Sequence, residues 1–187
     1  MVAQILAIPI VKWPQAQETS DEASLVDAAR GGSRSAFGRL YERYGRMVHG
    51  ILLARVPRPE VDDLVQDVFL LAMRRLPTLR EAGAFGGWLA MIARNRATDY
   101  HRRAPMLAEL HDETLTQAPP RPEAMMVLET IRNLPEAYRE TLVLRLVEGM
   151  TGPEIAERTG LTPESVRVNL HRGMKQLREK LNGETTP

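Results

Sequence analysis

The sequence predicts an all-α protein of two small helical domains joined by a flexible linker. Three observations lead there. From Leu25 to about Arg103 the chain is almost continuously compatible with helix, interrupted at Gly31–Ser33, Val56–Pro59, Pro77 and Gly83–Gly87. From Ala104 to Glu123 it reads "APMLAELHDETLTQAPPRPE", with four prolines, several acids and no sustained period. Helix-forming sequence then resumes at Ala124 and runs to Leu181, broken near Pro135, Gly149 and Gly160. The predicted division is an extension over 1–20, a first domain over 21–103, a linker over 104–123 and a second domain over 124–187.

Composition supports the class. Of 187 residues, 43% are hydrophobic, 26% charged and only 5% aromatic, while Ala, Leu, Arg and Glu are plentiful, which favours helix. The chain has no cysteine, so disulfides, Cys-ligated zinc and thiol nucleophiles are excluded, and a reducing, cytoplasmic setting fits. The net charge is only +1, weak for a protein that must hold duplex DNA by itself. Opposite charges are segregated, however. Acids gather at Asp21, Glu22 and Asp27 and at Glu60, Asp62, Asp63 and Asp67; cations gather at Arg94, Arg96, Arg102 and Arg103 and again from Arg167 to Lys180.

The opening "MVAQILAIPIVKWPQ" is apolar but too short to span a bilayer, and no basic residues precede its apolar run. It reads as a flexible extension, with no membrane insertion. In "PEVDDLVQDVFLLAMRRL", Leu64, Val68 and Leu71 share one helix face, while Asp63, Gln66, Asp67 and Leu70 lie largely on another. Such an acidic face repels DNA and suits either a basic protein surface or water. "AFGGWLAMIARNRATDYHRR" starts apolar, with Phe85, Trp88, Leu89 and Ile92, and turns polar and basic at Arg94, Asn95, Arg96, Tyr100, Arg102 and Arg103. One end is anchored in a core and the other offers donors; Trp88 serves as core or as a base-stacking platform.

The last third is the most explicit. Thr151-Gly-Pro-Glu154 is a capping box that starts a short helix; Gly160 ends it in a left-handed conformation; Thr162 and Pro163 start the next. Val166, Leu170, Met174, Leu177 and Leu181 then form an apolar stripe, with Ile155 and Ala156 expected beneath it. Ser165, Arg167, Val168, His171, Arg172 and Lys175 occupy the other faces. The N-terminal part of such a helix enters the major groove in helix-turn-helix proteins, where Arg bonds guanine bidentately and Val touches a thymine methyl. The alternative is a solvated basic helix. Arg178 and Lys180 suit the helix dipole or a nucleic-acid backbone.

"AFGRLYERYGRMV", "DDLVQDVFLLAMRRL" and "FGGWLAMIARNRATDYHRR", followed by "LPEAYRETLVLRLVEGMTGPEIAERTGLTPESVRVNLHRGMKQLREKL", resemble bacterial RNA polymerase sigma factors of the extracytoplasmic-function type. The resemblance covers about Leu25 to Leu181. It implies a first domain of sigma region 2, a second of region 4, and no enzymatic activity or cofactor. It implies that Asp62, Asp63, Gln66, Asp67 and Leu70 dock on the clamp helices of core RNA polymerase. Trp88, Arg94, Asn95, Arg96, Tyr100, Arg102 and Arg103 would then meet minus-ten promoter DNA, with Asn95 at an unpaired base. The Pro135–Leu146 helix would meet the polymerase flap, and Ser165, Arg167, Val168, His171, Arg172 and Lys175 the minus-thirty-five element. An anti-sigma factor is a further implied partner. The chain departs from the common pattern at Val168-Asn169 and Arg172-Gly173-Met174, where many relatives carry more cations, and Gly173 is expected to cost about 1 kcal/mol of helix stability relative to Ala.

A near-neutral charge accords with DNA binding that depends on tethering to a larger assembly. About twenty extended linker residues reach at most roughly 65 to 70 Å, enough for two domains on separate promoter elements, and Glu109, Asp112 and Glu113 suit a positively charged passage. A stand-alone helix-turn-helix regulator is the competing reading. An enzyme is more remote, because His49, His101, His111 and His171 show no metal-ligand spacing and "HDE" at His111–Glu113 lies in the linker.

Overall fold

A computed structural model describes residues 22–107 and 122–183. The extension over 1–20, the linker acids Glu109, Asp112 and Glu113, and His111 lie outside the described residues, and so does the expected flexibility of both segments. Among the described residues there are eight α-helices and no strand. Helices α1 (Glu22–Arg30), α2 (Arg34–Leu53), α3 (Val61–Arg75) and α4 (Phe85–Leu107) make the first lobe. Helices α5 (Pro122–Arg132), α6 (Glu136–Leu146), α7 (Gly152–Thr159) and α8 (Pro163–Gly183) make the second. No helix among the described residues is long and apolar enough to cross a membrane.

Local chemistry sets most of the boundaries. Ser33 caps α2 by accepting from the Ala36 amide at 3.2 Å. Short 3-10 turns at Arg58–Glu60 and Leu76–Thr78, each holding a proline, bracket α3. Thr151 and Glu154 form the reciprocal capping box of α7, and Gly160 ends that helix at φ 74°. Thr162 Oγ1 accepts from the Ser165 amide at 3.1 Å to start α8. The helix-turn-helix read from the sequence is thus present in the second lobe.

One break is shorter than expected. The turn before α4 covers only Ala82–Ala84, and the helix begins at Phe85 with Gly86 and Gly87 inside it. A Cβ at Gly86 would come within 2.7 Å of the Arg158 carbonyl oxygen and 2.9 Å of the Tyr44 ring. This glycine therefore permits a close approach of α4 to α7 rather than a turn.

The apolar core does not stop at the lobe boundary. Leu40, Tyr44, Met47, Ile51, Phe85 and Leu89 from the first lobe share one continuous buried cluster with Ile131, Leu134, Leu142 and Leu177 from the second. Gly50 on α2 is a point of close approach, since a Cβ there would lie 2.6 Å from Leu144 Cδ2 and 2.9 Å from Glu148 Cγ. A smaller cluster of Leu144, Met150, Ile155, Ala156 and Val166 holds α7 beneath α8. In the α8 stripe Val166 and Leu177 are buried, whereas Leu170, Met174 and Leu181 are half-buried against these cores.

Gly173 is buried on the same face, and a Cβ there would meet Tyr138 Cβ and Leu142 Cδ1 at 3.0 Å. The position that costs helix propensity is the one that lets α8 close on α6. Gly173→Ala should therefore give no net gain in urea unfolding, although propensity alone offers about 1 kcal/mol, because overpacking costs about 1–3 kcal/mol. A full gain of that size would show that α6 and α8 are not held at this spacing.

Candidate functional site

Three polar surfaces emerge from this packing. On α3, Val61, Val65, Val68, Phe69 and Ala72 are buried. Asp62, Asp63, Gln66 and Leu70 are exposed on the opposite side, with Leu70 at 48%. Met73, 49% exposed, continues that side one turn further. It was not singled out from the sequence, although its spacing from Leu70 and Gln66 could have shown it. Asp67 is turned partly inward and forms an ion pair with Arg96 of α4.

On α4, Phe85, Leu89, Ile92, Ala93 and Ala97 anchor the helix. Trp88 is half-buried and its ring lies 5.8 Å from that of Phe85 at 45°, so the indole belongs at least in part to the core margin. Asn95, Arg102 and Arg103 are exposed. Tyr100 is half-buried, and burial followed by the nearby Glu60 charge raises its pKa, which leaves a neutral phenol available as donor. Asn95, Arg96 and Arg102 line an open cleft of roughly 260 Å³ with Leu71 and Arg75 of α3. Arg75 was missed because, at a helix C-terminus, a cation also suits the dipole. Only the packing of α3 on α4 brings it beside Asn95.

Arg94 points elsewhere. Its Nη2 and Nε donate to the two Glu140 oxygens at 2.7 and 3.1 Å, across the boundary between lobes. The bond to Glu140 outweighs burial and raises the guanidinium pKa, so this cation stays charged. The seven α4 residues read as one minus-ten surface are thus divided: Asn95, Arg96 and Arg102 face the cleft, whereas Arg94 faces α6.

On α8, Arg167, His171, Arg172 and Lys175 are exposed, and Val168 is half-buried beside them. The Ser165 hydroxyl accepts from Thr162 Oγ1 at 2.7 Å, so it is engaged by the cap. Lys175 reaches Glu179 only at 3.9 Å with both side chains exposed, a contact of little energetic weight. The cationic face is therefore available to an anionic polymer, and the capping box of α7 fixes how it is presented.

That box is acid-sensitive. Hydrogen bonding from the Thr151 amide holds the Glu154 carboxyl below its ordinary value of 4.5. A depressed carboxylate pKa contributes stability that is complete above the ordinary value and lost as pH falls through the folded one. Glu154→Ala should lower stability by about 1 kcal/mol at neutral pH and reduce the loss that sets in as pH falls below the ordinary value of 4.5 in pH-dependent urea unfolding. An unaltered acid limb would remove Glu154 from the account.

Residues 40–105 match the sigma-70 region 2 family, and residues 124–177 match the sigma-70 region 4 family. The ECF RNA polymerase sigma-E factor of Haemophilus influenzae is 32% identical over 185 residues, covering 89% of this chain and 97% of that protein. RNA polymerase sigma factor CarQ of Myxococcus xanthus is 32% identical over 161 residues, covering 81% and 92% of the two chains. Among solved structures, CnrH in complex with the cytosolic domain of CnrY is similar with a TM-score of 0.62 at 29% identity, covering 88% of this chain and 99% of that one.

Proposed function

Because the chain belongs to the extracytoplasmic-function branch of the sigma-70 family, and is thus a promoter-directing initiation factor for RNA polymerase, we propose a division of labour among its three polar surfaces. The α3 side carrying Asp62, Asp63, Gln66, Asp67, Leu70 and Met73 docks on the polymerase clamp. The α4 side carrying Asn95, Arg96, Tyr100, Arg102 and Arg103, with Arg75 of α3 and Trp88 at its margin, takes the unwound minus-ten strand. The α8 side carrying Arg167, Val168, His171, Arg172 and Lys175 reads the minus-thirty-five element, with Ser165 at its cap. In this reading residues 21–103 act as region 2, 104–123 as the connection and 124–187 as region 4. The protein works in the cytoplasm, without catalytic activity or cofactor.

The observation that carries the reading is the cleft of α3 and α4, which Asn95 and three arginines line together with a single acid, Asp99. Unstacking a promoter base costs a few kcal/mol, and hydrogen bonds with stacking recover this only on an unpaired base. A net charge of +1 leaves free duplex weakly bound, since few phosphates are neutralised. Docking on polymerase replaces that missing affinity by effective concentration.

A protein partner of the anti-sigma class also belongs to this reading. CnrH was solved with the cytosolic domain of CnrY, and the fold likeness supports a comparable partner here.

Run-off transcription with purified core polymerase on a genomic fragment library tests the function and identifies the promoter. On that promoter Asn95→Ala should impair open-complex formation by about tenfold or more, as one lost base contact implies, while closed-complex binding to duplex falls less. Equal loss on closed duplex would remove Asn95 as reader of an unpaired base. Asp63→Lys should weaken association with core polymerase in a direct binding assay, and unchanged association would remove the α3 docking assignment.

A further inference from the structure

We infer that Glu140 is an internal competitor of promoter DNA for Arg94, and that its burial latches the two lobes in a closed state which polymerase must open. The inference rests on the assignment of α4 to minus-ten DNA, with Arg94 joining Asn95 and Arg96 there once Glu140 releases it, and of α6 to the polymerase flap.

Glu140 is an unusual residue to hide. Its side chain is only 6% exposed, yet it sits on α6, in a lobe whose own residues supply no cation to it in the described structure. Both of its cationic partners come from the other lobe. Arg94 holds it with two hydrogen bonds, and Arg55 Nη1 approaches Oε2 at 2.8 Å. A buried carboxylate is tolerated only when paired and hydrogen-bonded, so Glu140 is compensated only while the lobes stay together.

The latch is reinforced on both sides. Glu148, 4% exposed at its side chain, meets His49 Nδ1 at 2.5 Å, and its carbonyl accepts from Arg46. Arg132 donates to the Leu53 carbonyl at 3.0 Å and the Val56 carbonyl at 2.7 Å. At the rim Arg43 pairs with Glu157 at 2.8 Å.

Two consequences follow from occupancy alone. A guanidinium whose two donor edges are spent on one carboxylate cannot give the same edges to a phosphate. Closure and full minus-ten contact therefore exclude each other, and by linkage whatever binds the open form must oppose closure equally. The same closure sets Leu144 of α6 over Gly50 of α2 and covers the side of α6 that carries Glu140, which removes that side from any flap. In contrast, the α3 side and the cationic face of α8 remain exposed. The closed chain can still be met by the clamp through α3, and opening follows as the second step.

The test uses the full chain, which has no native cysteine. Dyes placed at Glu42→Cys and Glu179→Cys, both exposed positions, report the separation of the lobes by single-molecule energy transfer. The wild type should show one high-transfer population that shifts to low transfer when core polymerase is added. Glu140→Gln should populate the low-transfer state without polymerase and bind a single-stranded oligonucleotide of the identified promoter at least about fivefold more tightly, the lower end of ordinary coupling. In case that variant folds poorly, Arg43→Cys with Glu157→Cys, joined by a short bismaleimide containing a reducible bond, locks the native rim. The locked chain should lose transcription, and reduction should restore it. Equal transcription before and after reduction, or wild-type lobes that stay at high transfer in an active holoenzyme, would overturn the latch. A reduced chain that fails to bind core polymerase at all would instead overturn the surface assignments on which the latch rests.

Discussion

The arrangement of this molecule depends on one carboxylate held between two guanidinium groups of another lobe. Burying Glu140 alone would be costly, and its favourable pairing with Arg94 and Arg55 requires the two lobes to lie together. The apolar surfaces then complete what the ion pairs orient. Leu144 settles over Gly50, the α4 backbone passes Arg158 at Gly86, and a single buried cluster runs from α1 to α8. Apolar burial supplies the bulk of the attraction, whereas the charge pairs supply the register.

That constraint also organises function. A factor that directs polymerase to promoters has to keep its DNA-binding groups from acting alone. Near-neutral net charge is one means, since it limits phosphate neutralisation. Internal pairing is another: Arg94 is spent on Glu140, and Arg96 on Asp67. The second of these pairs is more exposed and correspondingly weaker. On the proposed division of labour, acidic residues act twice, as a surface for a protein partner and as substitutes for phosphate.

What was legible in the residue order was local. Thr151, Glu154, Gly160, Thr162 and Pro163 each act within a few residues of themselves, so their succession alone spells out the helix-turn-helix. The buried sides of α3 and α8 followed from spacing. The features that spacing does not reveal all depend on neighbours distant in the chain. Gly86 has the look of a turn residue until Arg158 is set against it, and Gly173 that of a cost until Tyr138 and Leu142 are. Arg75 reads as a helix-dipole cation unless α4 is beside it. Arg94 shares its stretch of sequence with Asn95 and Arg96, yet a rotation of about 100° per residue turns it towards a different lobe, and no periodicity reveals that Glu140 waits there.

The most direct test of that pairing is a double-mutant cycle on the intact chain, with Arg94→Met, Glu140→Gln and their combination compared by urea unfolding. The closed arrangement predicts a single transition in the wild type and a coupling between the two positions on the order of 1–3 kcal/mol. Two separate transitions with strictly additive effects would contradict it, because lobes that unfold independently cannot be held together by Glu140.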